Sequence, residues 1–164
     1  MMKLSTRSRY GLRAMYELAL CYGEGPLPLN IIADKQMMSL AYLEQLMAKL
    51  RNAGLAQSSR GALGGYELAK PPEKITVGDI VRVLEGSLDP VHCLSVDSSY
   101  GDCRRLESCV VRMVWKRLGD CVNRVLDSIT LKDLCDGTLD FTENACGFHS
   151  FDPHDPQESV EISE

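Results

Sequence analysis

Between Leu29 and Ala69 the chain changes hydrophobic period in a fixed order, and that order leaves few folds open. Residues 29–36 suit one short helix, and Met37-Met38-Ser39 forms a tight connection. Residues 40–53 follow with Leu43, Leu46, Met47 and Leu50 on one apolar stripe, the mark of an amphipathic helix. Ser39 stands where a helix N-cap belongs, and Gly54 where a C-terminal glycine does. Two short strand candidates come next, 55–58 and 66–69. The segment 59–65 between them carries three glycines, which permit the positive φ angles of a thin, tight loop.

A short helix, a tight turn, a second helix and a β-ribbon predict a winged helix-turn-helix. The fold class expected is mainly α with a small β-hairpin wing and a long C-terminal dimerisation helix. A first helix over 8–22 places Tyr10, Ala14, Met15, Leu18, Ala19 and Tyr22 on its core side, with Cys21 beside them as a small core residue. Residues 76–85 form a further helix, with Thr76 as its cap, Asp79 in its first turn and Gly86 at its end. Residues 87–108 lack periodicity and hold Ser, Asp, Gly and Cys, a long loop of the kind that carries function.

The strongest helical pattern runs over 109–127, where Val111, Val114, Trp115, Leu118, Val122, Val125 and Leu126 line one face beside Cys121. Little chain is left to cover that face, so a second copy is its expected cover. Residues 130–135 make a last short helix, and from Gly137 the tail has seven acidic residues and no Lys or Arg. The expected organisation is a DNA-binding unit over 1–72, a connecting helix with a cysteine-containing loop over 73–108, the dimer helix and short last helix over 109–136, and a flexible acidic tail over 137–164.

Charge sharpens this division. The net charge is −5 over 164 residues. Residues 1–72 nevertheless hold nine Lys/Arg against five Asp/Glu, and the remainder nine against eighteen. A basic first unit on an acidic second one suits a phosphate-facing surface joined to a separate module. No apolar run reaches the length of a membrane span, and no signal-peptide pattern opens the chain, so a cytoplasmic protein is expected. An enzyme is not expected: of three histidines none lies in the first unit, and no phosphate-binding glycine loop or paired-carboxylate motif is present.

A helix that reads a major groove packs one side on its domain and presents short or polar side chains on the other. Over 40–53 the outward set near the start is Ser39, Ala41, Tyr42, Glu44 and Gln45. Glutamine can pair with adenine, glutamate can accept from cytosine, and alanine can touch a thymine methyl. The thin ribbon carries Arg60 at its tip, suited to the negative potential of a minor groove. Lys3, Arg7, Arg9 and Arg13 can meet phosphates and set the docking angle.

Seven cysteines in a reducing compartment argue against a disulfide framework. Three of them, Cys93, Cys103 and Cys109, lie in the nonperiodic loop, separated by nine and then five residues. That spacing matches neither common zinc sites nor plant-type ferredoxins. By itself it leaves open a metal site, a reactive thiol or three unpaired cysteines. Cys109 falls at the start of the long helix, where the helix dipole favours an anionic sulfur, and Arg104 and Arg105 could offset cluster charge.

The segments 3–12 (KLSTRSRYGL), 39–46 (SLAYLEQL), 60–66 (RGALGGY), 75–80 (ITVGDI) and 130–134 (TLKDL) together resemble the IscR/NsrR/CymR group of winged-helix regulators over about residues 1–135. The resemblance implies a homodimer on a pseudo-palindromic double-stranded DNA operator, with the second helix in the major groove and the wing in the minor groove. It marks Ser39, Tyr42, Glu44, Gln45 and Arg60 for DNA contact. Members resembling IscR and NsrR carry three cysteines in this place and bind an iron–sulfur cluster, whereas CymR-like members lack them. The chain thus resembles the cluster-binding members, with Cys93, Cys103 and Cys109 as ligands of a [2Fe–2S] cluster.

Two positions depart from the pattern. IscR-like proteins often use a histidine three residues after the last cysteine, where this chain has Arg112, which has no lone pair to give. NsrR-like proteins can use an acidic residue of the first helix, where this chain has Arg9. His92, Asp102 and Glu107 are the local candidates for a fourth ligand. A cluster-free regulator answering to a thiol metabolite or partner protein, an NsrR-like nitric oxide sensor, and an electron-transfer or scaffold protein that uses a cluster without DNA stay open as alternatives.

Overall fold

The structure is a computed structural model that describes residues 5–61, 64–94 and 109–138. The wing-tip residues Ala62 and Leu63, Cys103 with its neighbours Asp102, Arg104, Arg105 and Glu107, and the acidic tail from 139 lie outside the described residues.

The first helix, α1, spans Thr6–Leu20. It starts two residues before the expected point because the capping oxygen is that of Ser5, whose Oγ accepts from the Arg7 N–H at 3.0 Å. Ala14, Met15, Leu18 and Ala19 form its buried stripe. The expected stripe ran too far. Tyr22 lies beyond the last turn and is 48% exposed, and Cys21 is a half-buried C-cap rather than a core residue.

Helix α2 (Leu29–Gln36) ends at Met37, which adopts the left-handed conformation at φ 51° so that the Met38 N–H reaches the Ala33 carbonyl at 3.0 Å. Helix α3 (Leu40–Asn52) follows, with Ser39 Oγ accepting from the Tyr42 N–H at 3.3 Å. Leu43, Leu46, Met47 and Leu50 are buried, as the period predicts. Such a cap stabilises by about 1 kcal/mol. Burying each apolar side chain adds about 1.5–3 kcal/mol, so the stripe, more than the cap, holds this short helix.

Strands β1 (Ala56–Ser59) and β2 (Gly65–Leu68) pair antiparallel, from Ala56 opposite Leu68 to Ser59 opposite Gly65. Each is shifted by one residue from expectation, because Leu55 turns into the core while its carbonyl takes the Ala69 N–H at 3.1 Å. Helix α4 (Val77–Glu85) opens on a reciprocal capping box between Thr76 and Asp79. Helix α5 (Val110–Ser128) is the longest, and α6 (Leu131–Asp136) opens on a second such box, between Thr130 and Asp133.

One core joins these elements. Met15, Ile32, Leu43, Met47 and Leu50 meet Ile75, Ile80 and Leu131 in it, all fully buried. The chain therefore leaves along α5 and returns with α6 to pack on α1. An antiparallel bridge between Thr76 and Thr130 pins the return, with Leu131 N–H on the Ile75 carbonyl at 2.9 Å.

The start of α1 is tied to the end of α4 by one carboxylate. Glu85 Oε1 accepts from the Ser5 N–H at 3.0 Å and hydroxyl at 2.6 Å, and from the Ser8 N–H at 3.2 Å and hydroxyl at 2.7 Å. A carboxylate at a helix N-terminus also complements the helix dipole. Burial alone would push the Glu85 pKa up. The donors from Ser5 and Ser8 outweigh it and hold the group below the ordinary glutamate value of 4.5. A depressed folded pKa stabilises the fold above the unfolded value and loses that contribution as pH falls through the folded value. Glu85→Gln is expected to destabilise by about 1–3 kcal/mol at neutral pH in urea unfolding. The gap to the parent protein should narrow once pH drops below 4.5; a gap independent of pH would count against the charged hydrogen bonds.

Candidate nucleic-acid interface

Four of the residues expected to read bases, Ser39, Ala41, Glu44 and Gln45, are exposed over the first turns of α3. Tyr42 is placed differently. It is half-buried, its ring meets Tyr10 edge-on at 6.1 Å, and its hydroxyl lies 3.5 Å from that of Thr6. Edge-to-face aromatic pairs contribute about 0.5–1.5 kcal/mol beyond burial, so this contact sets α1 against α3. Arg7 and Arg9 are exposed on α1. The guanidinium groups of Arg9 and Arg13 lie 5.9 and 6.0 Å from the Tyr10 ring centroid, within cation–π range. The basic start of α1 and the capped start of α3 are thus joined through two tyrosines.

Arg60 is exposed at the end of β1, and Gly61 turns there at φ 111°. A Cβ on Gly64 would lie 2.4 Å from the Ser59 carbonyl oxygen, so the base of the tip is too narrow for any side chain at that position. The ribbon is also held from behind. Leu27 pairs with Tyr66, its N–H donating to the Tyr66 carbonyl at 2.8 Å and its carbonyl accepting at 2.9 Å. Arg51 at the end of α3 reaches Ser58 Oγ at 3.5 Å.

Sequence reasoning missed several of these supports. Leu27 has no strand period around it, and a single bridge leaves no pattern to find. Ser8 went unread, yet it is buried on Glu85. Glu17 also went unread; it is buried and accepts from Lys35 Nζ at 3.0 Å and Gln36 Nε2 at 2.9 Å. The hydrogen bond and charge of Glu17 push the Lys35 pKa up.

Two of the three loop cysteines are placed. Cys93 lies in the short turn His92–Leu94, which packs on α5, and Cys109 is the N-cap of α5 without a side-chain capping bond. Both are half-buried and free of disulfides. Among the described residues no three of His, Cys, Asp and Glu gather into a metal-binding group. The donor chemistry nonetheless suits an iron–sulfur group, since Cys93 and Cys109 flank in sequence the segment that holds Cys103. Arg112, one turn after Cys109, offers no ligand, and its Nε is buried without a hydrogen-bond partner among the described residues.

Towards the N-terminal end of α5, Val110, Val111, Met113, Val114, Trp115 and Leu118 are exposed, while Val122, Val125 and Leu126 are half-buried, as is Cys121. No helix among the described residues is long and apolar enough to cross a membrane.

A helix-turn-helix with a ribbon pinned behind its second helix defines a winged-helix module. Residues 4–137 match the Rrf2 family model, described as an iron-dependent transcriptional regulator, and the chain belongs to this family of transcription regulators. It is 50% identical over 137 residues to the regulator CymR of Bacillus subtilis, covering 84% of this chain and 92% of that protein. It is 40% identical over 153 residues to protein rrf2 of Nitratidesulfovibrio vulgaris, covering 93% and 98%. The solved structure of T. potens IscR superposes with a TM-score of 0.67 at 46% identity, covering 84% of this chain and 88% of that one.

The pin behind the wing is testable. A Cβ on Gly65 would lie 2.5 Å from the Leu27 carbonyl carbon and oxygen. Gly65→Ala should force the bridge apart and destabilise by about 1–3 kcal/mol in thermal unfolding. A variant as stable as the parent would show that the bridge contributes nothing.

Proposed function

We propose that the chain is a cytoplasmic, homodimeric regulator that reads an operator in double-stranded DNA through α3 and the wing and answers to iron–sulfur status. Ser39, Ala41, Glu44 and Gln45 face base edges in the major groove, and Arg60 enters the minor groove. Arg7 and Arg9 meet phosphates. Tyr42, seated on Tyr10 and Thr6, fixes the angle at which α3 is presented and brings its hydroxyl near the backbone. The joined basic start of α1 and exposed start of α3 carry this reading. The DNA-binding unit over 1–72 rests on α4 and α6, and the exposed apolar face of α5 pairs with its copy in a second chain.

Cys93, Cys103 and Cys109 would hold a [2Fe–2S] cluster, which supplies a redox-active and exchangeable group when bound. The three thiols and the likeness to T. potens IscR support this. Arg112 favours a second reading. It occupies the position where the resemblance to IscR-like proteins leads one to expect a histidine, and the Bacillus subtilis relative is a CymR. In that reading the regulator carries no cluster and answers to a thiol metabolite or a partner protein.

Anaerobic reconstitution with iron and sulfide separates the two. A cluster should give visible absorption in the parent chain and be lost in Cys93→Ala, Cys103→Ala and Cys109→Ala. Colourless protein that binds its operator would establish the second reading. In either case Arg60→Ala should weaken operator binding by about 1–3 kcal/mol in a titration at fixed salt. Unchanged affinity would remove the wing as a reader.

A further inference from the structure

A cavity of about 230 Å³ opens between α5 and the segment 87–94. Its wall on α5 is a single stripe, Arg112, Lys116, Gly119 and Asn123, at the spacing of successive helical turns. Asp89 and Leu94 face it from the other side, and Asp120 of α5 also lines it. Gly119 is buried because Pro90 closes on it, and a Cβ there would lie 3.1 Å from the Pro90 Cδ. The cavity is small beside the roughly 300–1,000 Å³ of drug-sized pockets, so a small metabolite suits it.

Its lining carries both signs of charge. Arg112 holds a buried Nε–H without an acceptor among the described residues. Among the described residues, neither Lys116 nor Asp120 takes part in an ion pair. Asp89 receives the Ser87 hydroxyl on one oxygen. A guanidinium and an ammonium can hold a carboxylate, and carboxylates nearby can hold an ammonium. We propose that this cavity binds a free α-amino acid small enough for its volume, its carboxylate on Arg112 and Lys116 and its ammonium on Asp89 and Asp120.

Such a ligand would touch the tie between α5 and the DNA-facing unit. Asn123 Oδ1 accepts from Arg82 Nη1 at 3.3 Å, and Arg82 also grips Asp127 at 2.5 Å. Arg82 lies one turn before Glu85, the anchor of α1. The cavity stripe and the apolar stripe of α5 are separated by roughly a third of a turn, so a second copy on the apolar face leaves the cavity accessible. The site requires neither reading of the cysteine loop.

Titration calorimetry of the full chain with L-serine, without DNA or iron, tests the site independently of operator binding and of cluster content. Saturable binding is expected. L-lactate, which lacks the ammonium, and L-alaninamide, which lacks the carboxylate, should bind at least about tenfold more weakly, as should L-serine to Arg112→Gln. Lys116→Gln, at an exposed position, provides the same comparison should Arg112→Gln fail to fold. Absence of saturable heat with L-serine overturns the proposal. So does equal binding of L-lactate or inorganic phosphate, which would mark a simple anion site, or unaltered affinity in folded variants at both positions.

Discussion

The carboxylate of Glu85 closes the N-terminus of α1 with four hydrogen bonds, and the placement of every basic residue on that helix follows from it. Four N–H groups at a helix start have no partner within the helix. Here a side chain from a helix some eighty residues further on takes part of that load, aided by two serines. The start of α1 is thereby fixed on α4, Tyr10 is fixed with it, and Tyr42 brings α3 into line. Local capping and long-range packing coincide at one oxygen atom.

A second tie, Arg82 to Asn123 and Asp127, links α4 to α5. Asp127 and Asn123 satisfy the guanidinium, whose pKa is pushed up chiefly by the hydrogen bond to Asp127. At Gly78 the helices come so close that a Cβ would collide with the Asp127 carboxylate. Helix α4 is therefore the common support: one end holds the element that carries the basic residues, and the other holds the helix that carries the exposed apolar face. The nine residues of α4 thus join α5 to the basic start of α1 through helix.

Most helices were legible because their apolar stripes repeat at helical spacing and their caps are short polar residues in the expected places. Ser39, Thr76 and Gly54 mark ends that the backbone respects. Less legible were features whose meaning depends on distant partners. Ser8 and Glu17 are polar residues whose burial is compensated across the fold, and no local pattern announces such compensation. Tyr42 shows the same limit at the site. Spacing puts it on the outward side of α3, but a tyrosine next to another helix gains more by stacking than by standing in water. The wing was legible from its glycines, while both strands sit one residue nearer the tip because Leu55 belongs to the core.

The bridge from Leu27 to Tyr66 makes β2 the middle strand and leaves β1 outermost. An outermost strand with unpaired backbone groups is a template for stray chains. Here that hazard is blunted by brevity and chemistry. The strand is four residues long, three of them the polar and exposed Gln57, Ser58 and Ser59, and a cation from Arg51 leans over it. A ribbon thin enough for a groove would otherwise invite sheet extension and precipitation.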